Sequence, residues 1–263
     1  MKASEKEFPV TPVSVPEFYD MLAPDYDLMT GLERRFVQEK PYFRLPVERY
    51  GIKSALDAGC GSGFHSMLLS ELGVRVTAVD ASREMLKRTR SNARSRGLKI
   101  RTFEASFENL AEIEAESFDA VFVMGNSLPH LQHSEELSNA LGNFSSVLKA
   151  GGLLVTQTLN YDRIMSSRDR IQNTKEVDDK TFVRFYEYDA EGITFNILTR
   201  TKSVAGIEEK LQTIRLRPIL RDDFVGLLSG NGYTDIRVFG SISMEPFDSL
   251  TSKDLVILAR KSS

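Results

Sequence analysis

The stretch LDAGCGSGF, residues 56–64, decides the fold. Leu56, Asp57 and Ala58 end a strand, and Gly59, Gly61 and Gly63 then form the turn into a helix. Glycine suits such a turn because a ligand can approach a backbone that carries no Cβ. The next strand, VRVTAVD (74–80), ends on Asp80, whose carboxylate can accept two hydrogen bonds from a ribose diol. An acid roughly 20 residues past a glycine loop is also part of the dinucleotide signature. That signature, G-x-G-x-x-G, needs glycine at position 64, where this chain has Phe64. The spacing here is G-x-G-x-G, preceded by Asp57. A structural turn, with Asp80 merely capping the helix that follows, is the alternative reading.

Outward from the loop the chain alternates. SALDAG (54–59), VRVTAVD, KIRTFEA (99–105), FDAVFVMG (118–125) and GGLLVTQTL (151–159) read as strands. Between them HSMLLSELG (65–73), a helix capped by Ser82, and a helix starting at Ser134 carry the helical period. Strands apolar on both faces, alternating with helices, predict a parallel sheet wrapped in helices. Residues 181–217 break that rhythm. TFVRFYEY, ITFNILTRT and KLQTIRLRPI alternate with the two-residue period and predict an antiparallel meander, with turns at Gly192 and Gly206. A helix (RDDFVGLLSGNG) and two strands (DIRVFG, DLVILARK) follow, joined too briefly for a helical crossover, so the final pair is expected to be antiparallel.

The 263 residues are 41% hydrophobic and 27% charged, enough for one large domain or a domain with a sizeable insertion. A net charge of −3 and a pI near 5.8 give no general attraction to nucleic acid. The basic cluster KRTRSNARSRG (87–97) lies on a helical pattern and reads as a solvated face, with a binding patch as the alternative. A single cysteine, Cys60, excludes an internal disulfide and agrees with a reducing compartment. Residues 1–16 read as an extended, Pro-punctuated leader without the apolar core of a signal peptide. No apolar run reaches the ~18 to 20 residues of a membrane span. The cytoplasm is the expected location.

Three further strings narrow the reading: GNSLPHL (125–131), GGLLVTQTLNYDRIM (151–165) and EASF (104–107). With them the sequence resembles the class I S-adenosylmethionine-dependent methyltransferases, and within these the glycine and sarcosine N-methyltransferases. The resemblance covers residues 17–160 and the terminal strands, and the meander after NYD fits the subgroup. It implies an α/β fold: a Rossmann-like seven-stranded methyltransferase sheet with helices on both faces, an antiparallel final pair and an antiparallel β-meander insertion. The implied division is 1–53 for leader and lid helices, 54–176 for a cofactor-binding core, 177–219 for the insertion and 220–263 for the closing helix and strands. S-adenosyl-L-methionine is the implied cofactor, with no metal. A small-molecule acceptor, an amine or amino-acid-like nitrogen, is the implied partner, with no nucleic acid and no membrane. A larger acceptor (a tRNA base or protein side chain), a non-catalytic cofactor binder and a nicotinamide oxidoreductase are the alternatives. Neither the acceptor atom nor the oligomeric state is legible in the sequence.

Position by position, the resemblance assigns the methionine portion of the cofactor to Asp57, Gly59, Gly61 and Gly63, and the ribose to Asp80 and Ala81. Met85 is implied to pack on the adenine, with Ser106 and Phe107 bordering it. Met124 and Gly125 are implied to line the cofactor with backbone, and Arg34 to meet its carboxylate. Tyr19 and Tyr26 match lid tyrosines near the sulfonium. Tyr26, Asn126 and His130 are the implied catalytic residues, with Asn126 where donor meets acceptor. Met85, Phe107 and the two tyrosines have plain packing as their alternative.

His130 and His133 are two of only three histidines, placed just past a hydrophobic strand. Methyl transfer from a sulfonium to a neutral amine is an in-line displacement, in which proximity and alignment contribute most. Pro129 and Ser134 put His130 at a helix entry, which favours positioning over base catalysis. His133 is expected to be exposed, and His65 to be a first-turn helix residue. Two substitutions depart from the family at the acceptor site. Leu159 stands where an arginine would pair with the glycine carboxylate, and Arg217 where a tyrosine is expected. The first loss removes a bidentate contact, which makes Arg217 the candidate replacement cation.

Overall fold

The computed structural model describes residues 13–110, 113 and 117–262. Every residue of β1 (Ser54–Ala58) is buried, as a strand flanked on both edges and covered on both faces must be. It pairs in parallel with β2 (Arg75–Asp80) and, on its other edge, with β4 (Phe118–Val123). β3 (Arg101–Glu104) continues the sheet beyond β2, and β5 (Leu148–Leu159) continues it beyond β4, both in parallel. β11 (Asp254–Lys261) then runs antiparallel to β5, and β10 (Tyr233–Phe239) antiparallel to β11. The order is β10-β11-β5-β4-β1-β2-β3. The chain winds one way from β1 to β3 and the other way from β4, so a crevice opens at the carboxyl ends of β1 and β4.

Alternate residues of the strands feed two cores. Leu56, Ala58, Val121 and Val123 pack with Leu137 and Phe144 of α5 (Ser134–Val147) and with Phe224 and Leu228 of α7 (Arg221–Gly230). Ala55, Val76, Ala120 and Phe122 face the other way. They pack with Met67 and Leu68 of α3 (Phe64–Glu71) and with Phe36, Phe43 and Val47 of α2 (Leu32–Tyr50). The sheet therefore carries helices on both faces.

The meander has four strands rather than the three expected. β6 (Ile171–Val177) precedes β7 (Lys180–Tyr188), β8 (Ile193–Ser203) and β9 (Gly206–Leu216), all antiparallel in sequence order. β6 was invisible because IQNTKEV is an exposed edge strand with no apolar face to set a period. The insertion thus begins before the boundary placed at residue 177.

α1 (Val15–Thr30) lies across the meander, burying Phe18, Leu22 and Met29 against Phe182, Ile197 and Ile214. Ser14 starts it with a capping box to Glu17, and Pro16 stands in the first turn, a position that tolerates proline. The last residues of the expected leader are therefore helical, while residues 1–12 lie outside the described residues. The basic cluster of α4 (Arg83–Ser95) is not simply a solvated face. Arg88 pairs with Asp27 of α1 at 2.6 Å, and Arg96, just past α4, pairs with Glu33 of α2 at 2.6 Å. No described helix is long and apolar enough to cross a membrane.

Candidate active site

After Ala58 the backbone N–H groups of Gly59 and Cys60 both donate to the carbonyl of Val79, at 2.8 and 2.9 Å. This folds the glycine turn back over the end of β2. Gly59, Gly61 and Gly63 all hold positive φ, +71°, +57° and +85°, which an L side chain adopts only at a cost. The three do different things. A Cβ on Gly63 would lie 2.7 Å from Thr89 of α4, and one on Gly59 would lie 2.9 Å from the Ser127 hydroxyl. Those two allow close packing of the protein on itself. A Cβ on Gly61 would meet only the Tyr26 ring, at 3.7 Å, so its face is left for a ligand.

Asp80 pins the turn from below, accepting from Gly61 N–H at 2.7 Å with one oxygen and from Ser82 N–H at 2.8 Å with the other. Burial raises its pKa, and the two backbone donors pull it back. Each oxygen keeps a further lone pair for a diol. Asp57 lies deeper. It accepts from the Ser66 hydroxyl of α3, and burial pushes its carboxyl up to about 7.

A cavity of about 250 Å³ opens above the turn. Tyr19, Tyr26, Gly59, Gly61, Asp80, Ala81, Ser106, Phe107, Met124, Gly125 and His130 line it, all of them positions picked out in the sequence. Arg34, Asp57, Gly63, Met85, Asn126, Leu159 and Arg217 do not. Arg34 is exposed, and its neighbour Arg35 takes the place beside the cavity, with its guanidinium 4.1 Å over the Phe64 ring and 2.6 Å from Glu39. Helical phase explains the difference. Leu32 and Phe36 mark the buried side of α2, and Arg34 points opposite to them whereas Arg35 flanks them. Met85 is fully buried in the first turn of α4 and packs in the core. Cys60, Phe64, His65 and Ser127 line the cavity without having been assigned to it. Glycine-loop spacing alone could have flagged Cys60 and Ser62.

Asn126 holds φ +69° and works as a clamp. Its amide donates to the Tyr161 hydroxyl at 3.0 Å, and its carbonyl accepts from Leu159 N–H at 2.9 Å. Both ends of the side chain thus tie the end of β4 to the end of β5. His130 ends a single 3-10 turn (Leu128–His130), and its Nε2 lies 2.8 Å from the Tyr19 hydroxyl. Burial pushes His130 down to about 4, and its buried Nδ1 has no partner. Arg217 donates through Nη2 to the Ser134 hydroxyl at 2.7 Å. His133 is exposed, and His65 sits in the first turn of α3, pushed well below its ordinary pKa by burial.

Residues 55–152 match the methyltransferase domain family. Over 225 residues the chain is 30% identical to the glycine/sarcosine N-methyltransferase of Aphanothece halophytica, covering 85% of this chain and 82% of that one. This chain belongs to the glycine/sarcosine N-methyltransferase family. Human glycine N-methyltransferase, another relative, is 39% identical over 134 residues, covering 46% of this chain and 45% of its own length. The fold is similar to that of an S-adenosylmethionine-dependent methyltransferase from Clostridium acetobutylicum, with a TM-score of 0.79 at 17% identity over 93% of this chain and 99% of that one. The chain is a methyltransferase that uses S-adenosylmethionine. The cavity fits that cofactor in two respects: Gly61 leaves a face open beside the turn, and Asp80 retains acceptor capacity next to it.

Proposed function

We propose that the enzyme methylates the nitrogen of a small amine or amino-acid-like acceptor, of the kind named for its glycine/sarcosine N-methyltransferase relatives, and that the cavity holds the methyl donor. The observation that carries this reading is that Gly61, Asp80, Tyr26, Tyr19 and His130 line one cavity at the switch point of the sheet. Asp80 and Ala81 hold the ribose, Ser106 and Phe107 border the adenine, and Arg35, in the place expected of Arg34, meets the amino-acid end. When bound, S-adenosylmethionine supplies a methyl group already activated on a sulfonium. Tyr19 and Tyr26, about one and three turns along α1, would confine that group to a line of approach. Their rings stand 6.3 Å apart and steeply inclined. His130 fixes Tyr19 and, with its pKa held near 4 by burial, is a poor base. The amine therefore arrives neutral and sheds its extra proton after transfer. Asn126 sets the loop after β4 by tying it to β5. The buried thiol of Cys60 suits a reducing compartment, with the cytoplasm as the site of action.

The decisive experiment is transfer of a labelled methyl group from S-adenosylmethionine to a panel of small amines, with calorimetry of S-adenosylhomocysteine binding alongside it. Micromolar binding with transfer to at least one amine is the expected result. Binding without transfer to any amine, or transfer only to tRNA or protein, would sink the small-acceptor reading.

A further inference from the structure

β7 presents alternate side chains to the buried face of the meander. Phe182 is 0% exposed and Tyr186 3%, so Arg184, midway between them, lies on the same face. Opposite it on β8 stands Ile197, 1% exposed, which packs with Phe18 and Leu22 of α1. A guanidinium is costly on such a face unless an opposite charge meets it. Among the described residues the Arg184 side chain has no ion pair and no hydrogen bond. The groups that act on it electrostatically are the hydroxyls of Tyr186 and Tyr26, not a carboxylate.

A second guanidinium also acts on Tyr186. Arg163, on α6 (Tyr161–Ser167), has a buried Nε with no hydrogen-bond partner, and its charge is felt at Tyr186 and Tyr188. Tyr186 itself packs in one cluster with Tyr161 and Ile164 of the same helix. Tyr26 closes the series by lying against Gly61 in the cofactor cavity. Gly61, Tyr26, Arg184, Tyr186 and Arg163 thus succeed one another from the cavity into the seam between meander and α6. Neither departure read in the sequence sits in that seam as a cation. Leu159 is apolar, and Arg217 is turned to Ser134 through Nη2 and held by its backbone to Pro129, although its buried Nη1 has no partner.

We propose that Arg184 is the specificity-determining residue of the acceptor subsite: it takes the anionic group of the amine acceptor, with Arg163 as a second cation. The inference rests on the methyltransferase reading above. It places the acceptor's carboxylate against the meander, where the planar guanidinium can meet both oxygens and the Tyr26 and Tyr186 hydroxyls can add donors. The acceptor nitrogen is left on the side of Tyr19 and the cavity.

The test compares wild-type enzyme with Arg184→Leu, Arg163→Leu and Arg217→Leu. Acceptors are glycine, sarcosine and β-alanine, each beside its amide. Wild-type enzyme prefers the anionic set. Arg184→Leu raises KM for the best anionic acceptor at least tenfold, shifts KM for its amide by less than twofold, and leaves S-adenosylhomocysteine affinity within twofold. Arg163→Leu raises the same KM by a smaller factor, and Arg217→Leu by less than twofold. An unchanged KM in folded Arg184→Leu, a larger rise in Arg217→Leu, or a wild-type preference for the amides overturns the proposal while leaving methyl transfer standing. Failure of wild-type enzyme to bind cofactor or methylate any amine removes both readings together. If Arg184→Leu does not fold, wild-type enzyme carries the test. Propionate competing with acceptor but not with cofactor supports the proposal, and propionate no better than propionamide overturns it.

Discussion

The Tyr19 hydroxyl and His130 Nε2 stand 2.8 Å apart, joining the first described helix to the loop that follows β4. The two rings meet edge to face, with centroids 5.4 Å apart, and both line the cavity. Burial favours the uncharged imidazole, which suits it to hold the Tyr19 hydroxyl in place.

Tyr19→Phe keeps the ring and removes the bond. Its expected cost in stability is about 1 kcal/mol, with a several-fold loss of kcat and little change in cofactor affinity. His130→Asn is expected to give a loss of similar size that is constant from pH 7 to 9. A loss that instead grows with pH, read from initial rates, would mark His130 as the base.

Acid stability carries the signature of two buried groups with opposite signs. His130 titrates at about 4 in the folded chain and at about 6.5 when unfolded. Its contribution is present above that upper value and is lost as pH falls through the lower one, on the order of 3 kcal/mol in all. Asp57 titrates at about 7 folded and near 4 unfolded. Its contribution is present below the unfolded value and is lost as pH rises through the folded one. Urea titrations should therefore show the gap between wild type and His130→Asn shifting against the wild type as pH falls from 7 to 4. The gap for Asp57→Asn should shift in the wild type's favour over the same range. A pH-independent gap for either variant contradicts its burial.

Asp80→Ala removes both the acceptor for a diol and the anchor of Gly61 N–H. Cofactor affinity should fall about ten- to a hundredfold, from charge-assisted bonds worth ~1.5 to 3 kcal/mol. Calorimetry showing unchanged affinity in a folded variant rejects the ribose assignment.

Gly61→Ala and Gly63→Ala separate cradle from scaffold. Both incur left-handed strain of about 1 kcal/mol. Only Gly63 adds a clash, with Thr89 at 2.7 Å. Gly61→Ala should lose cofactor affinity with a modest drop in melting temperature, and Gly63→Ala the reverse. Thr89→Ser should restore part of the Gly63→Ala loss, a non-additivity expected of side chains in contact.

Much of this was legible because periodicity and spacing report burial directly. The central strands are apolar on both sides, and the residues from Leu56 to Phe64 could only be a strand entering a glycine turn. The misses have a common cause. β6 has no buried face to write a period, so its pairing with β7 left no trace in IQNTKEV. Arg34 and Arg35 differ only by helical phase, and the phase of α2 is confused by prolines at 41 and 46. Asn126 was assigned by resemblance to the meeting point of donor and acceptor, whereas its two bonds to Tyr161 and Leu159 are long-range contacts that no local pattern reports. Arg184 shares a face with Phe182 and Tyr186, but nothing in the sequence reports that α1 covers that face.

α1 supplies Val15, Pro16, Tyr19, Tyr26 and Thr30 to the cavity wall, and besides its apolar seat on the meander it is fastened by polar bonds at its edges. Asp27 holds Arg88 at 2.6 Å, Asp25 holds Lys180 at 2.5 Å, and Asp20 accepts from Glu84 N–H at 3.1 Å. Its far end runs into Gly31 at φ +73°, where Lys175 of β6 donates to the carbonyls of Leu28 and Met29 at 2.8 and 3.1 Å. Opening the cavity on that side requires these contacts to part. Part-exposed ion pairs weaken as salt shortens the Debye length to about 8 Å and below. Ionic strength should therefore reach the cavity through this helix: higher salt is expected to weaken cofactor binding, and a cofactor KM that stays constant with salt would show these ion pairs to be idle.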